Sequence, residues 1–224
     1  MDLEKIKTCI FDVNGVLIDS NRANALAMAE AFAQPDDLRG PIAELYLSLT
    51  GIDRGSKIRI VQEKIVGRPF AEGEFDLRWS RFRELAALSM SKAPLIPGCR
   101  EVLAELGRRG MVRAALSNTP EAELRKILAA HELTGSLDII RGGGDWPKSE
   151  SLARLLDDFK LNAGECVFLG DGKGDLDAAR KAGVGFFGID PGTGEFKGEK
   201  DLLGQFEDLA KWGRSFLGPA LQQE

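Results

Sequence analysis

The stretch TCIFDVNGVLIDS, residues 8–20, begins with a short apolar run and carries an aspartate near the end of that run. Apolar runs of this length, interrupted by few polar residues, are typical of a strand that is buried on both faces. Asp12 then stands where the strand ends, and Asn14 and Gly15 begin the loop that follows. Since ligands of open parallel sheets bind at this end of the strands, the stretch indicates a functional site.

The chain after this strand has two different patterns. Residues 20–95 show helical spacing of apolar side chains and no strand-like runs. After Pro97-Gly98, apolar runs alternate with amphipathic segments, which predicts a parallel sheet covered by helices on both faces. We therefore predict a Rossmann-like, doubly wound α/β core formed by residues 1–19 and 96–224, with an α-helical domain inserted at residues 20–95. At the C-terminus we predict one amphipathic helix with a shared apolar face of Leu202, Phe206, Leu209 and Phe216.

Composition and charge exclude several classes of function. The net charge of −5 gives no overall attraction for nucleic acid or an anionic membrane, so an anionic ligand needs a local positive cluster. The chain has neither a membrane-length apolar stretch nor a signal-peptide pattern. The three cysteines lack metal-type spacing and are predicted to be buried reduced thiols of a cytoplasmic protein. The single histidine, His131, excludes a multi-histidine metal site.

Polar residues follow four apolar strands of the predicted core. They are Asp12 with Asn14, Ser117 with Asn118, Lys148, and Asp171 with Asp175. Because the carboxyl ends of parallel strands meet at one edge of the sheet, we expect these groups to converge. Carboxylates suit Mg²⁺, which prefers oxygen ligands and shares them with a phosphate. The ammonium and the hydroxyl suit the remaining phosphate oxygens.

In this order, the four sites resemble the motifs of the haloacid dehalogenase superfamily. The helical insert resembles the cap domain of its phosphoglycolate phosphatase and β-phosphoglucomutase branch. The resemblance implies that Asp12 is the nucleophile and forms an aspartyl-phosphate. It also implies that Asp12, Asp171 and the main-chain carbonyl of Asn14 bind Mg²⁺. Asp175 is expected to hold a metal-bound water or to orient Lys148.

The same resemblance assigns the groups that hold the substrate. Ser117 and Asn118 are expected to hydrogen-bond the transferring phosphoryl group, with Gly15 also among the substrate-binding residues. Lys148 is expected to neutralise the nucleophile and the phosphate together. Many relatives have a Pro-x-Pro pattern after this lysine, whereas here it is followed by Ser149, which we predict to be a helix N-cap.

Asn14 departs from the family pattern. Phosphatases and phosphomutases of the family have a second aspartate at this position, which protonates the leaving oxygen and later activates water. A side-chain amide donates hydrogen bonds but does not exchange a proton near neutral pH. Three explanations remain open: an introduced substitution that stalls the enzyme, a natural relative with other chemistry or a good leaving group, or a protein that binds a phosphorylated ligand without efficient turnover.

The segment Thr50-Gly51-Ile52-Asp53-Arg54-Gly55 is predicted to join two helices of the insert. In relatives with this cap, a comparable loop reads the substrate, so Arg54 is a candidate clamp for a second anionic group. The alternative is an ordinary turn with a solvated arginine. The sequence therefore predicts a Mg²⁺-dependent hydrolase of a small phosphorylated metabolite, monomeric or homodimeric, with a weakly catalytic phosphate-binding protein as the alternative.

Overall fold

The computed structural model describes residues 3–32, 36–49, 52–143 and 146–218. The chain divides into two compact units, one formed by Met1–Ile18 and Leu95–Glu224 and the other by Asp19–Pro94. The two ends of the second unit lie side by side, since the N–H of Asp19 donates to the carbonyl of Pro94 at 2.9 Å. The chain therefore enters and leaves the second unit at one point.

The larger unit is built on a parallel sheet whose described strands have the order β3-β2-β1-β4-β5-β6. The strands are β1 (Thr8–Phe11), β2 (Val112–Ser117), β3 (Ile139–Gly142), β4 (Cys166–Gly170), β5 (Gly185–Ile189) and β6 (Gly204–Phe206). All of the neighbouring pairs are parallel, and β1 lies between β2 and β4. Their carboxyl ends therefore lie at one edge, as predicted.

Helices cover both faces of this sheet. They are α5 (Cys99–Arg108), α6 (Glu121–Ala130), α7 (Lys148–Asp158), α8 (Lys173–Ala182) and α9 (Leu209–Phe216). Ile10 and Phe168 pack in one core cluster with side chains of α7 and α8. On the opposite side of β1, Phe11 meets Trp212 of α9 with ring centroids 6.3 Å apart. The alternation of Ile10 and Phe11 confirms the predicted doubly wound α/β class.

The second unit is helical, with α1 (Asn21–Phe32), α2 (Asp36–Ser48), α3 (Arg54–Val61) and α4 (Glu74–Met90). One π-helical turn, Gln62–Val66, extends α3 and ends at Gly67, whose φ of 72° is the left-handed conformation common at helix ends. Ala25, Met28, Phe32 and Phe82 are among the side chains of its own apolar core. None of the helices described in either unit has both the length and the apolar character of a membrane span.

The structure corrects two local predictions and confirms a third. The single C-terminal helix is wrong, because Phe206 belongs to strand β6, where it pairs with Ile189, and α9 begins only at Leu209. A three-residue edge strand is too short to show its own periodicity. Ser149 is not an N-cap, since α7 already begins at Lys148 after Pro147. The three cysteines are buried free thiols, as predicted.

Gly98 is a packing requirement of the larger unit. Its φ is 84°, and a Cβ at this position would overlap the backbone of Ala210 in α9. We expect Gly98→Ala to lower the free energy of unfolding by about 2–3 kcal/mol. The cost of a left-handed backbone conformation for alanine and the cost of the overlap with α9 both contribute to this loss. Gly110 has a φ of 69° but open space around it, so Gly110→Ala should lose only about 1 kcal/mol. Urea unfolding of both variants measures the difference, and equal losses would contradict the packing argument.

Candidate active site

Asp12 stands at the carboxyl end of the central strand. Its N–H donates to the carbonyl of Leu169 in β4 at 2.8 Å, which continues the ladder one residue beyond β1. The side chain of Asp12 is only 8% exposed. The carboxylate is therefore held by the centre of the sheet and shielded from bulk water.

Lys148 contacts two carboxylates at once. Its Nζ lies 2.6 Å from Oδ1 of Asp12 and 2.8 Å from Oδ1 of Asp175, and its side chain is 5% exposed. The ammonium also lies 5.6 Å from the ring centroid of Phe168. Lys148 is the first residue of α7, where the helix dipole disfavours a cation, so the two acids rather than the helix account for its charge.

The loop between β4 and α8 supplies two more carboxylates. Ligand oxygens of Asp12, Asp171 and Asp175 lie within 4.8 Å of one another. Asp175 is buried, Asp171 is half-buried, and Oδ2 of Asp175 accepts the N–H of Gly172 at 3.2 Å. Gly170 permits this approach, since a Cβ there would overlap the carboxyl of Asp175. Three acids and one lysine predicted from separate motifs are thus adjacent.

Burial and charge act in opposite directions on the two central groups. Burial raises the pKa of Asp12 to about 6, although the neighbouring Lys148 ammonium favours the charged carboxylate. Burial alone would lower the pKa of Lys148, but Asp12 and Asp175 raise it above its usual value. The lysine therefore stays protonated across the neutral range, and Asp12 is ionised above about pH 6.

Ser117 ends β2, next to β1 at the same edge of the sheet. It is buried, its hydroxyl donates to Oγ1 of Thr119 at 3.2 Å, and its Oγ accepts the N–H of Thr119 at 3.2 Å. Asn118 follows it and is half-buried. Thr119 is fully buried and orients the hydroxyl of Ser117. This contact is not evident from the sequence, because a threonine before a proline and a helix is interpreted as the start of that helix.

Asn14 and Gly15 lie in the loop after β1. The N–H of Gly15 donates to the carbonyl of Ile18 at 2.8 Å, and the φ of Gly15 is 77°. Asn14 is half-buried. Because the amide of Gly15 is already used within the loop, binding of a phosphate by that amide would require the bond to Ile18 to break.

Arg54 belongs to the helical unit and is not a solvated arginine. It is the first residue of α3 and is 6% exposed, and its Nη2 donates to Sδ of Met90 at 3.4 Å. Its guanidinium lies 5.5 Å from the ring centroid of Phe82. The interpretation of Arg54 as a solvated turn residue is therefore wrong. Its role as a clamp for a second anionic group of the substrate stays a prediction. Thr50 and Gly51 of the predicted loop lie outside the described residues.

Comparison with protein families agrees with the arrangement of strands and acids. A family model described as haloacid dehalogenase-like hydrolase matches residues 6–183. The chain belongs to this hydrolase family. The match spans β1 to the end of α8 and therefore includes Asp12, Ser117, Lys148, Asp171 and Asp175.

Individual proteins are similar to this hydrolase in sequence or in structure. A phosphoglycolate phosphatase of Haemophilus influenzae (strain 86-028NP) is 28% identical over 189 residues, which cover 80% of this chain and 83% of that protein. The crystal structure of a predicted phosphoglycolate phosphatase from Haemophilus somnus has a TM-score of 0.75 at 21% identity, with 97% of each chain covered. CbbY from Rhodobacter sphaeroides, solved with phosphate, has a TM-score of 0.75 at 22% identity, with 93% of this chain and 96% of that chain covered. The solved structures establish the shared fold.

Proposed function

We propose that this hydrolase is a phosphatase that takes the phosphoryl group of a small phosphomonoester onto Asp12 and then releases it to water. The observation that carries the proposal is the contact of one buried ammonium, Lys148, with the carboxylates of Asp12 and Asp175. Desolvation of a buried ion pair often costs more free energy than the attraction between its charges returns, so a buried cluster of this kind favours a functional site over a purely structural role. The similarity to phosphoglycolate phosphatases supports a small phosphorylated acid or sugar as the substrate.

The three clustered carboxylates fit Mg²⁺. Their oxygens lie within 4.8 Å of one another, and hard oxygen ligands with open positions are what this ion accepts beside a phosphate. Asp12, Asp171 and Asp175 would hold the ion, with the main-chain carbonyl of Asn14 as the further ligand that the resemblance implies. When bound, Mg²⁺ neutralises phosphate charge and polarises the phosphoryl group.

The chain's own residues supply the nucleophile and the groups that hold the phosphate, while the proton for the leaving oxygen and the base for the attacking water must come from solvent. An oxygen of Asp12 bonds to phosphorus while the bond from phosphorus to the ester oxygen breaks, and the leaving oxygen must then take up a proton. Lys148 balances the charge on Asp12 and the phosphate, while Ser117 and Asn118 donate hydrogen bonds to phosphoryl oxygens. The final attack by water needs a base, and the amide of Asn14 supplies neither this base nor the earlier acid.

Asn14 favours a second candidate function, namely a protein that binds a phosphorylated ligand and turns it over slowly or not at all. Such a protein keeps the positive group and the metal ligands but loses general acid–base help, which is commonly worth about 10²–10⁴ in rate. The two candidates differ in one step, since only the phosphatase forms a covalent bond between Asp12 and the phosphoryl group.

Incubation with 4-nitrophenyl phosphate and Mg²⁺ tests the proposal, because 4-nitrophenolate leaves without needing a proton. We expect a rapid release of about one equivalent of nitrophenolate followed by slow turnover, since the base for the second step is missing. Mass spectrometry should find the phosphoryl group on the peptide that contains Asp12. The control Asp12→Asn should show neither the burst nor the adduct.

Binding of inorganic phosphate without a burst or an adduct would instead support the ligand-binding candidate. A burst with the phosphoryl group on another residue would contradict the role of Asp12.

A further inference from the structure

The carboxylate of Asp190, directly after β5, is enclosed by the loop that follows it. Asp190 is 4% exposed. Six hydrogen bonds of 2.6–3.2 Å reach its two oxygens, from the N–H groups of Gly192, Thr193, Gly194 and Glu195, the hydroxyl of Thr193 and the side-chain amide of Gln205. Burial opposes the charge, but these donors hold the pKa of Asp190 below its usual value.

Consecutive backbone N–H groups that converge on one point form an anion-binding nest. In this loop the anion is the side chain of Asp190 itself, so the nest is filled and its role is to fix the backbone of residues 192–195. The sequence PGTG at residues 191–194 would otherwise be among the most flexible in the chain. The position of Glu195 is therefore determined by a buried carboxylate five residues earlier.

Glu195 connects this loop to the acidic loop of the active site. Its Oε1 accepts the N–H of Lys173 at 3.2 Å. Lys173 is the first residue of α8 and lies between Asp171 and Asp175. One backbone N–H of the acidic loop, that of Gly172, is held from within by Asp175, and the next, that of Lys173, is held from outside by Glu195.

We propose that Glu195 is a positioning residue for the metal ligands, and that Asp190 holds Glu195 in place. The inference rests on the proposed function, because its consequence is the affinity of Asp171 and Asp175 for Mg²⁺. With Lys173 fixed, the two aspartates keep their relative positions before the ion binds. Without that bond, the loop must be ordered when the ion binds, and the entropy lost then weakens the affinity.

The test is a calorimetric Mg²⁺ titration of the wild-type chain, Glu195→Ala and Glu195→Gln. Glutamine keeps an oxygen that accepts the N–H of Lys173 but loses the charge, whereas alanine loses both. We expect the Mg²⁺ dissociation constant to rise roughly tenfold in Glu195→Ala and less than about threefold in Glu195→Gln. Hydrogen exchange at the amide of Lys173 should accelerate in the alanine variant and much less in the glutamine variant.

Glu199→Ala is the matched control. Its carboxylate pairs with Arg180 at 2.7 Å and lies 3.9 Å from Nζ of Lys173, so this variant removes one charge beside the same helix without removing a bond to the acidic loop's backbone. We expect its Mg²⁺ affinity to stay within about twofold of the wild type.

The outcomes separate this inference from the proposed function. If the wild-type chain binds Mg²⁺ and Glu195→Ala binds it equally well, the positioning role is wrong and the phosphatase proposal stands. An equal loss in the alanine and glutamine variants would assign the effect to charge and overturn the hydrogen-bond argument. If the wild-type chain binds no Mg²⁺, the proposed metal site fails and this inference fails with it.

Discussion

Replacement of Asn14 by aspartate is expected to raise the turnover of alkyl phosphates by about 10²–10⁴-fold, the usual contribution of a positioned general acid and base. The substitution preserves shape, and Asn14 is half-buried in a loop, so the fold should not change. The gain arises because a carboxyl group can protonate the leaving alkoxide and afterwards accept a proton from water. Steady-state assays with Mg²⁺ and phosphoglycolate, among other small phosphomonoesters, measure it.

Two controls make this prediction specific. The single-turnover release of 4-nitrophenolate should gain far less than that of an alkoxide, because nitrophenolate needs no acid to leave. Asp12→Ala combined with Asn14→Asp should abolish activity, since the nucleophile is then missing. If Asn14→Asp turns over no tested ester faster than the wild type, the binding protein becomes the better account of the chain.

The sequence allows the sheet and the centre of the site to be predicted for a simple physical reason. Strands that are buried on both faces have continuous apolar sequences, and the first polar residue after such a sequence marks the end of the strand. Asp12, Ser117 and Asp171 are therefore found without coordinates. Parallel pairing then brings these strand ends to one edge. Lys148 begins the helix after β3, which β2 separates from β1, so its contact with Asp12 depends on the path of the connection before α7 as well as on this rule.

What the sequence does not reveal depends on contacts between distant residues. Glu195 and Lys173 are 22 residues apart, and no periodicity marks their hydrogen bond. Asp190 precedes a proline and two glycines, so it looks like the start of a turn, while its enclosure by backbone donors is visible only in three dimensions. Arg54 shows the same limit, since its position near glycines leaves both an anion clamp and a solvated turn residue open, and only the structure shows that its side chain is buried against Met90.

Replacement of Lys148 by methionine should lower the free energy of unfolding by about 3–5 kcal/mol at pH 8, the usual loss when one partner of a buried ion pair is removed. Methionine has a similar length and fills the space, so the loss reports the charge rather than a cavity. Asp12 and Asp175 would remain buried and adjacent without the ammonium that now lies 2.6 and 2.8 Å from them. Urea unfolding without added metal measures the change.

The pH dependence of this loss identifies its cause. In the wild-type chain burial raises the pKa of Asp12 to about 6, whereas the pKa of an unfolded aspartate is about 3.9. Between these two values the folded state binds more protons than the unfolded state. The free energy of unfolding therefore falls as the pH rises through that window. Without Lys148 the folded pKa rises further and the window extends upward, so the variant should recover stability relative to the wild type as the pH is lowered from 8 to about 5. Lys173→Met, at the exposed first residue of α8, should stay within about 0.5 kcal/mol of the wild type at both pH values. A deficit in Lys148→Met that does not change with pH would mean that packing, and not the two buried carboxylates, makes this lysine necessary.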